Sequence, residues 1–295
     1  MNKDKIEKRI SEIENLMLQS DFWSDKDKAQ SLIKELQELK ILKEGGGKYD
    51  SGSAHMTIFA GAGGDDSEDF VRILLEMYFK YISQKGWKVF LLNENKNSLG
   101  GYRSVTFEIE GKNVYGTLKY ESGVHRLVRM SPFNSKGLRH TSFAMVEVIP
   151  KFEKQSDFNL PEEDVTIEFT KSSGPGGQNV NKRETAVRVV HKETGLSAFV
   201  DSERSQNQNK EKALELVKGK VFKRQEDEKK AKESGMYISK TTDAEWGSQI
   251  RSYVTHPYKL VKDHRTDVEV RDVEKVFDGD IDVFIDAMKN LDIRL

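Results

Sequence analysis

The chain contains no cysteine. Disulfides, thiolate zinc sites and thiol nucleophiles are therefore excluded. No apolar run approaches the roughly 20 residues that cross a bilayer. The opening MNKDKIEKRISEIEN also lacks the apolar core of a signal peptide. An excess of one charge is missing too: 48 Lys and Arg face 49 Asp and Glu, for a net −1. That balance excludes a generic basic nucleic-acid coat but leaves room for local patches. No internal repeat is visible. What remains is 295 residues with 15 Phe, 9 Tyr and 3 Trp, enough length for two or three domains and enough bulk for real cores. The expectation is a soluble, cytoplasmic, monomeric, multidomain protein with no membrane segment, metal or cofactor.

Hydrophobic spacing divides the chain. In residues 1–43, Ile6, Ile10, Ile13 and Met17 share one helical face, as do Leu32, Leu36 and Leu39. DFWSDKD breaks the pattern, and Ser24 with Asp27 marks a new helix start. A helical hairpin follows, then a glycine-rich linker, EGGGKYDSGSA (44–54). From 55 onward MTIFA reads as a strand, GAGGDD as a turn, and DFVRILLEMYFKYISQKG as an amphipathic helix ending at Gly86. WKVFLL, SVTFEIE, NVYGTLKY and TSFAMVEVI read as strands of a mainly antiparallel sheet. Residues 151–163 look like a second connector. Beyond it come the strand VTIEFT, a glycine loop, a hairpin turning at Glu193–Gly195, and a charged helix over about 209–233. The expected fold is α+β and multidomain: 1–47 helical, 48–150 mixed, 151–240 with hairpin and long helix, and 241–295 packing back on the second domain. Charge follows this division. Residues 171–232 hold 15 Lys and Arg against 9 Asp and Glu, whereas 266–295 hold 4 against 9.

The basic surplus surrounds SSGPGGQNVNK (172–182). Paired glycines let a backbone adopt positive φ and approach a ligand closely, and Pro175 limits how far the loop wanders. N–H groups exposed in such a loop suit a developing oxyanion or leaving oxygen, and neighbouring Lys182, Arg183 and Arg188 suit phosphates. Gln178 has no titratable group near neutral pH, so any chemistry there works by positioning. Alone, the tripeptide fits a plain hairpin loop equally well.

Three stretches together carry a resemblance. SSGPGGQNVNKRETAVRVVHKETG with SERSQNQNK, GVHRLVRMSPFNSKGLRHTSF (123–143) and AEWGSQIRSYV (244–254) resemble, in order, motifs of the class I peptide chain release factors, in their bacterial type 2 branch. The resemblance implies a protein that enters the ribosome at a stop codon, UAA or UGA rather than UAG, and triggers hydrolysis of the P-site peptidyl-tRNA ester. It implies that Gly176 and Gly177 permit close approach to the tRNA end. Gln178 would offer its backbone N–H to the leaving ribose oxygen, and a glutamine methyltransferase would N5-methylate its side chain. It assigns codon reading to Ser131, Pro132 and Phe133, with His140 stacking on bases, Thr141 bonding the third base, and the Gly63, Gly64, Asp66 tip meeting the first. Unpaired RNA is read by such polar side chains and aromatic rings; Ser131 suits A or G because a hydroxyl can donate or accept. Read singly, Phe133 suits a core and His140 a satisfied polar site. Trp246 is implied as a switch coupling codon reading to docking of the catalytic loop, though it reads equally as a buried structural ring. Departures from the family are Pro175 for the usual alanine, Asp65 for threonine, Asp66 for a glutamate one methylene longer, and a short first domain. The last bears on contacts with the GTPase release factor. A codon-independent ribosome rescue hydrolase shares GGQ but carries a basic tail, whereas this tail is acidic; a non-catalytic RNA-binding module would dispense with the glycines.

Overall fold

The computed structural model describes residues 3–17, 29, 32–33, 36, 49–152, 160–171, 184–233 and 248–292. Helix α1 (Lys3–Met17) places Ile10 and Ile13 against Leu36, with Met17 and Leu32 at the margin, a small core of its own.

The central unit is an eight-stranded sheet. Its strands are β1 (Ala54–Ala60), β2 (Lys88–Lys96), β3 (Tyr102–Glu110), β4 (Gly123–Met130), β5 (Arg139–Pro150), β9 (Gln249–Val254), β10 (Leu260–Asp263) and β11 (Glu269–Val270). Their order is β11-β10-β9-β4-β5-β1-β3-β2, and every pairing is antiparallel except β4 with β9. Alternation along β1 explains the layering. Ala54, Met56 and Ile58 face the same side as Ile109, Phe107 and Val105 of β3 and Val148 and Val146 of β5. That apolar face is covered by α2 (Asp65–Gln84), through Phe70, Leu74, Met77, Tyr78 and Tyr81. Helices α5 (Val273–Phe277) and α6 (Asp282–Asp292) complete the core with Val276, Phe284 and Ile285.

NVYGTLKY, expected as a strand, is instead α3 (Val114–Leu118) followed by a 3-10 turn, Lys119–Glu121. Its buried residues Val114, Tyr115 and Leu118 have helical rather than alternating spacing. Backbone bonds from Gly116 N–H to Asp50 and from Tyr115 N–H to Gly52 lock the turn onto the preceding segment. A Cβ at Gly116 would lie 2.8 Å from Asp50, so only glycine allows the approach. For the same reason residues 49–53 are not linker. Asp50 is buried and paired with Lys119 at 2.7 Å, and Tyr49 stacks edge-on with Phe152 and Phe222.

A second unit has three strands, β6 (Val165–Thr170), β7 (Ala186–His191) and β8 (Ser197–Val200), beneath the long helix α4 (Gln206–Glu233). Val187, Val189, Val200, Ala213, Leu216, Val217 and Val221 form its core, joined by Leu92 and Ile149 from the large sheet. The rear face of that sheet carries Glu147, and Lys220 of α4 pairs with it at 3.2 Å. Lys223 donates to the Val148 carbonyl and the Ser122 hydroxyl, both at 2.8 Å. The sheet is thus covered on one face by α2 and on the other by α4.

Candidate functional site

The end of the large sheet where β4 leaves and β5 returns gathers most of the residues singled out in the sequence. The 131–138 loop closes with Ser131 N–H donating to the Leu138 carbonyl at 3.1 Å. Beside it, Gly61 N–H donates to Phe143 and Phe143 N–H to Ala62, which ties the start of α2 to β5. Gly63 (φ 137) faces Ser142, whose Cα and Cβ would lie 3.1 Å from an added Cβ, so a side chain there would be both strained and tightly placed. Gly64 (φ 58) caps α2 and accepts from Ser67 N–H and from the Ser67 hydroxyl.

Asp66 joins the two loops. Its Oδ2 accepts from the Ser131 hydroxyl and from His140 Nδ1, each at 2.7 Å, and its Oδ1 from Arg129 at 3.2 Å. Arg129 also reaches Asp69 at 2.6 Å. Burial alone would raise the Asp66 pKa, but the bonds from Ser131 and His140 and the charge of Arg129 outweigh it, so the carboxyl stays below the usual range. An ionised carboxylate only accepts, so His140 must donate from Nδ1. His140 Nε2 then meets the Asn134 side-chain nitrogen at 3.1 Å. Ser131 is fixed in the same way: its proton is committed to Asp66 while its oxygen accepts from Phe133 N–H at 3.2 Å.

This geometry differs from the sequence reading at two residues. The Asp66 carboxylate, expected to meet a base, is buried and holds the loop together instead. The Ser131 hydroxyl, expected to rotate freely, is 5% exposed with its proton engaged. The outer surface is formed by Gly63, Gly64, Pro132, Phe133 and Thr141, with His140 half-buried behind them. Phe133 is 41% exposed, so it is not a core residue. Exposed Lys136 and Arg139 flank it. Arg129, Asp69 and Asn134 were not singled out from sequence; only the positions of Asp69, one helical turn after Asp66, and Arg129, two before Ser131, hinted at them.

Deeper in the sheet lies a second network. Arg251 of β9 grips Glu121 with two bonds, at 2.6 and 2.7 Å, and reaches Asp263 of β10 at 3.1 Å. Arg265 pairs with Asp263 at 2.7 Å and donates to the Tyr120 carbonyl, while Tyr78 donates to Glu121 at 2.9 Å. Arg251, Glu121 and Asp263 have no exposed surface. His125 bonds the Glu121 carbonyl through Nε2 and the Tyr253 hydroxyl through Nδ1. A carbonyl only accepts, so Nε2 carries the proton. Burial, with the Arg251 charge, pushes the His125 pKa down to about 4.

Residues 44–146 match the PCRF domain and 153–265 the RF-1 domain. The chain is 38% identical over 335 positions to peptide chain release factor 2 of Thermotoga sp. (strain RQ2), covering 97% of this chain and 91% of that one. The chain belongs to the peptide chain release factor 2 family. The same factor from Exiguobacterium sp. is 38% identical over 337 positions, with 97% and 92% covered. The structure is similar to RF2 of Thermus thermophilus, with a TM-score of 0.73 and 38% identity, over 90% of this chain and 75% of that one. Because 335 aligned positions exceed the 295 residues here, the relatives carry stretches that this chain lacks.

The other residues that the release-factor resemblance singled out, Gly176, Gly177, Gln178 and Trp246, lie outside the described residues. The ends of the glycine segment are described. Thr170 pairs with Ala186, so β6 and β7 bring its two ends side by side. SERSQNQNK acquires a role here. Gln206 donates to the Glu184 carbonyl at 2.7 Å, and Asn209, fully buried, donates to Thr185 at 2.8 Å and Glu203 at 2.9 Å. The start of α4 thereby pins the backbone that leaves the glycine segment.

Proposed function

We propose that the edge formed by Gly63, Gly64, Ser131, Pro132, Phe133, His140 and Thr141 reads the stop codon, and that Gly176, Gly177 and Gln178 promote cleavage of the peptidyl-tRNA ester. As a release factor of type 2, the chain acts at the ribosome on a stop codon and brings about peptidyl-tRNA hydrolysis. The observation that carries the residue assignment is the convergence of the α2 tip, the 131–138 loop and His140 on Asp66. Phe133 and Thr141 offer a ring and a hydroxyl to splayed bases. Asp66 acts as a positioning residue, and Ser131 keeps one lone pair for a base amino group. That suits adenine directly; guanine at the same position requires the hydroxyl to leave Asp66.

In the hydrolytic step, water attacks the ester carbonyl carbon and the ribose 3′-oxygen leaves. The backbone N–H of Gln178 donates to that oxygen, with the glycines admitting the tRNA end. Removing one such preorganised donor typically costs about 10²–10³ in rate. In this reading 1–47 is a helical first domain, 48–150 reads the codon, 151–240 carries GGQ, and 241–295 braces the reader. Trp246 serves as the switch residue between reading and docking. N5-methylation of Gln178 by a methyltransferase and cooperation with the GTPase release factor belong to the same reading; mass spectrometry of native protein tests the first.

The test is single-turnover peptide release from ribosomes stalled at UAA. Gly177→Ala is expected to lower the rate at saturation by about 10²-fold or more, while still competing with wild type for the ribosome. Release at the wild-type rate would refute the assignment of the chemistry to this loop.

A further inference from the structure

Strands β4 and β9 run parallel, with Val128 opposite Val254, so both leave the sheet at the same end. The first leads into Ser131–Phe133 and the second into Thr255–Lys259. Thr255 N–H donates to the Val128 carbonyl at 3.0 Å, and Lys259 is ion-paired to Glu274 at the start of α5, so this second loop is anchored at both ends. Between the anchors, His256 and Pro257 are exposed, and Tyr258, at 58%, is the most exposed aromatic side chain among the described residues. Among the described residues neither Tyr258 nor His256 has a side-chain hydrogen bond or ring contact, so no such contact accounts for the exposed ring.

We propose that Tyr258 is a stacking platform for an unpaired message nucleotide next to the stop codon. The inference rests on the assignment of codon reading to this edge. Adjacent strands lie about 4.8 Å apart, so the two loops leave the sheet side by side at its codon-reading end. Lys136 and Arg139, exposed and without an ion pair among the described residues, supply charge for the connecting phosphates. A protein partner would want a contiguous apolar patch. A lone ring on an anchored polar loop fits a base instead, since every base has a face to stack and the ordered loop loses little freedom on binding.

The test measures the factor concentration giving half-maximal peptide release on ribosomes programmed with UAA. Messages are either intact or carry an abasic nucleotide immediately after the codon, because the nucleotide before it is paired to the P-site tRNA. Tyr258→Ala is expected to raise that concentration about tenfold on intact message, the scale of one base–aromatic stack, and Tyr258→Phe to leave it near wild type. On the abasic message, wild type falls to the level of Tyr258→Ala, and the substitution has no further effect. Preference for UAA and UGA over UAG is unchanged throughout, which separates this outcome from failure of the reader assignment itself. Wild-type behaviour of Tyr258→Ala, or a Tyr258→Ala defect that persists on the abasic message, overturns the proposal.

Discussion

Two carboxylates of this protein sit at the centre of similar hydrogen-bond networks and serve opposite ends. Glu121 is sealed in the sheet, gripped by Arg251 and Tyr78 with no exposed surface. Asp66 is also buried, yet its partners Ser131 and His140 lie directly behind an exposed shell of Pro132, Phe133 and Thr141. The chemistry of the two clusters is alike; the surroundings decide. A sealed ion pair locks strands together, and its members are costly to remove singly. A cluster at a sheet edge sets the shape of the loop it underlies while leaving that loop's outer face to a ligand.

Substitutions should separate the two networks. Arg251→Met leaves Glu121 buried without its ion-pair partner, while Asp263 keeps Arg265, and is expected to cost about 3–5 kcal/mol in denaturant unfolding; a loss below about 1 kcal/mol would break the contrast. The acid response comes next. His125 is neutral in the folded chain because its pKa is held near 4, against 6.5 when free. On unfolding below pH 6.5 it takes up a proton, so the unfolded state binds more protons and stability falls as pH drops from 6.5 toward 4. The total is about 3 kcal/mol, at roughly 1.4 kcal/mol per unit. Carboxylates such as Glu121 and Asp263, whose pKa values are lowered, withdraw stability only at lower pH. Unfolding measured at pH 7 and pH 5 should therefore isolate the histidine, and His125→Phe should flatten the difference.

Asn209→Ala removes the clamp on Thr185 and Glu203 and should cost about 1–3 kcal/mol. Release should slow equally at every codon read, since the clamp serves the glycine segment and not the reader. The smallest stability effect, about 1–2 kcal/mol, is expected for Asp66→Asn, which keeps the shape and loses the charge that strengthens the bonds from Ser131 and His140. Its cost should appear in function, as about tenfold more factor needed for half-maximal release with the maximal rate unchanged. A variant that unfolds as easily as Arg251→Met would erase the distinction between the networks.

Much of the architecture was legible because periodicity reports burial. VTIEFT is β6, the Phe70–Ile82 spacing is that of α2, and the hairpin around Glu193–Gly195 lies where its turn residues indicate. NVYGTLKY misled because its valine and tyrosines suit strands, whereas a tertiary contact between Gly116 and Asp50 selects a helical turn. The buried cluster was invisible in sequence. Glu121, Arg251 and Asp263 come from separate segments, and nothing local marks a charge destined for the interior. The same holds for Asp66: its place at a helix start suggested a cap or a base contact, and only the approach of the 131–138 loop shows it bonded to Ser131 and His140.

The most direct test of the reader edge is peptide release by purified protein on ribosomes programmed separately with UAA, UGA and UAG, for wild type and Ser131→Ala. Wild type should release at UAA and UGA and not at UAG, and Ser131→Ala should lose efficiency at both codons while its unfolding stays within about 2 kcal/mol of wild type. Equal release at all three codons, or a Ser131→Ala protein indistinguishable from wild type, would contradict it.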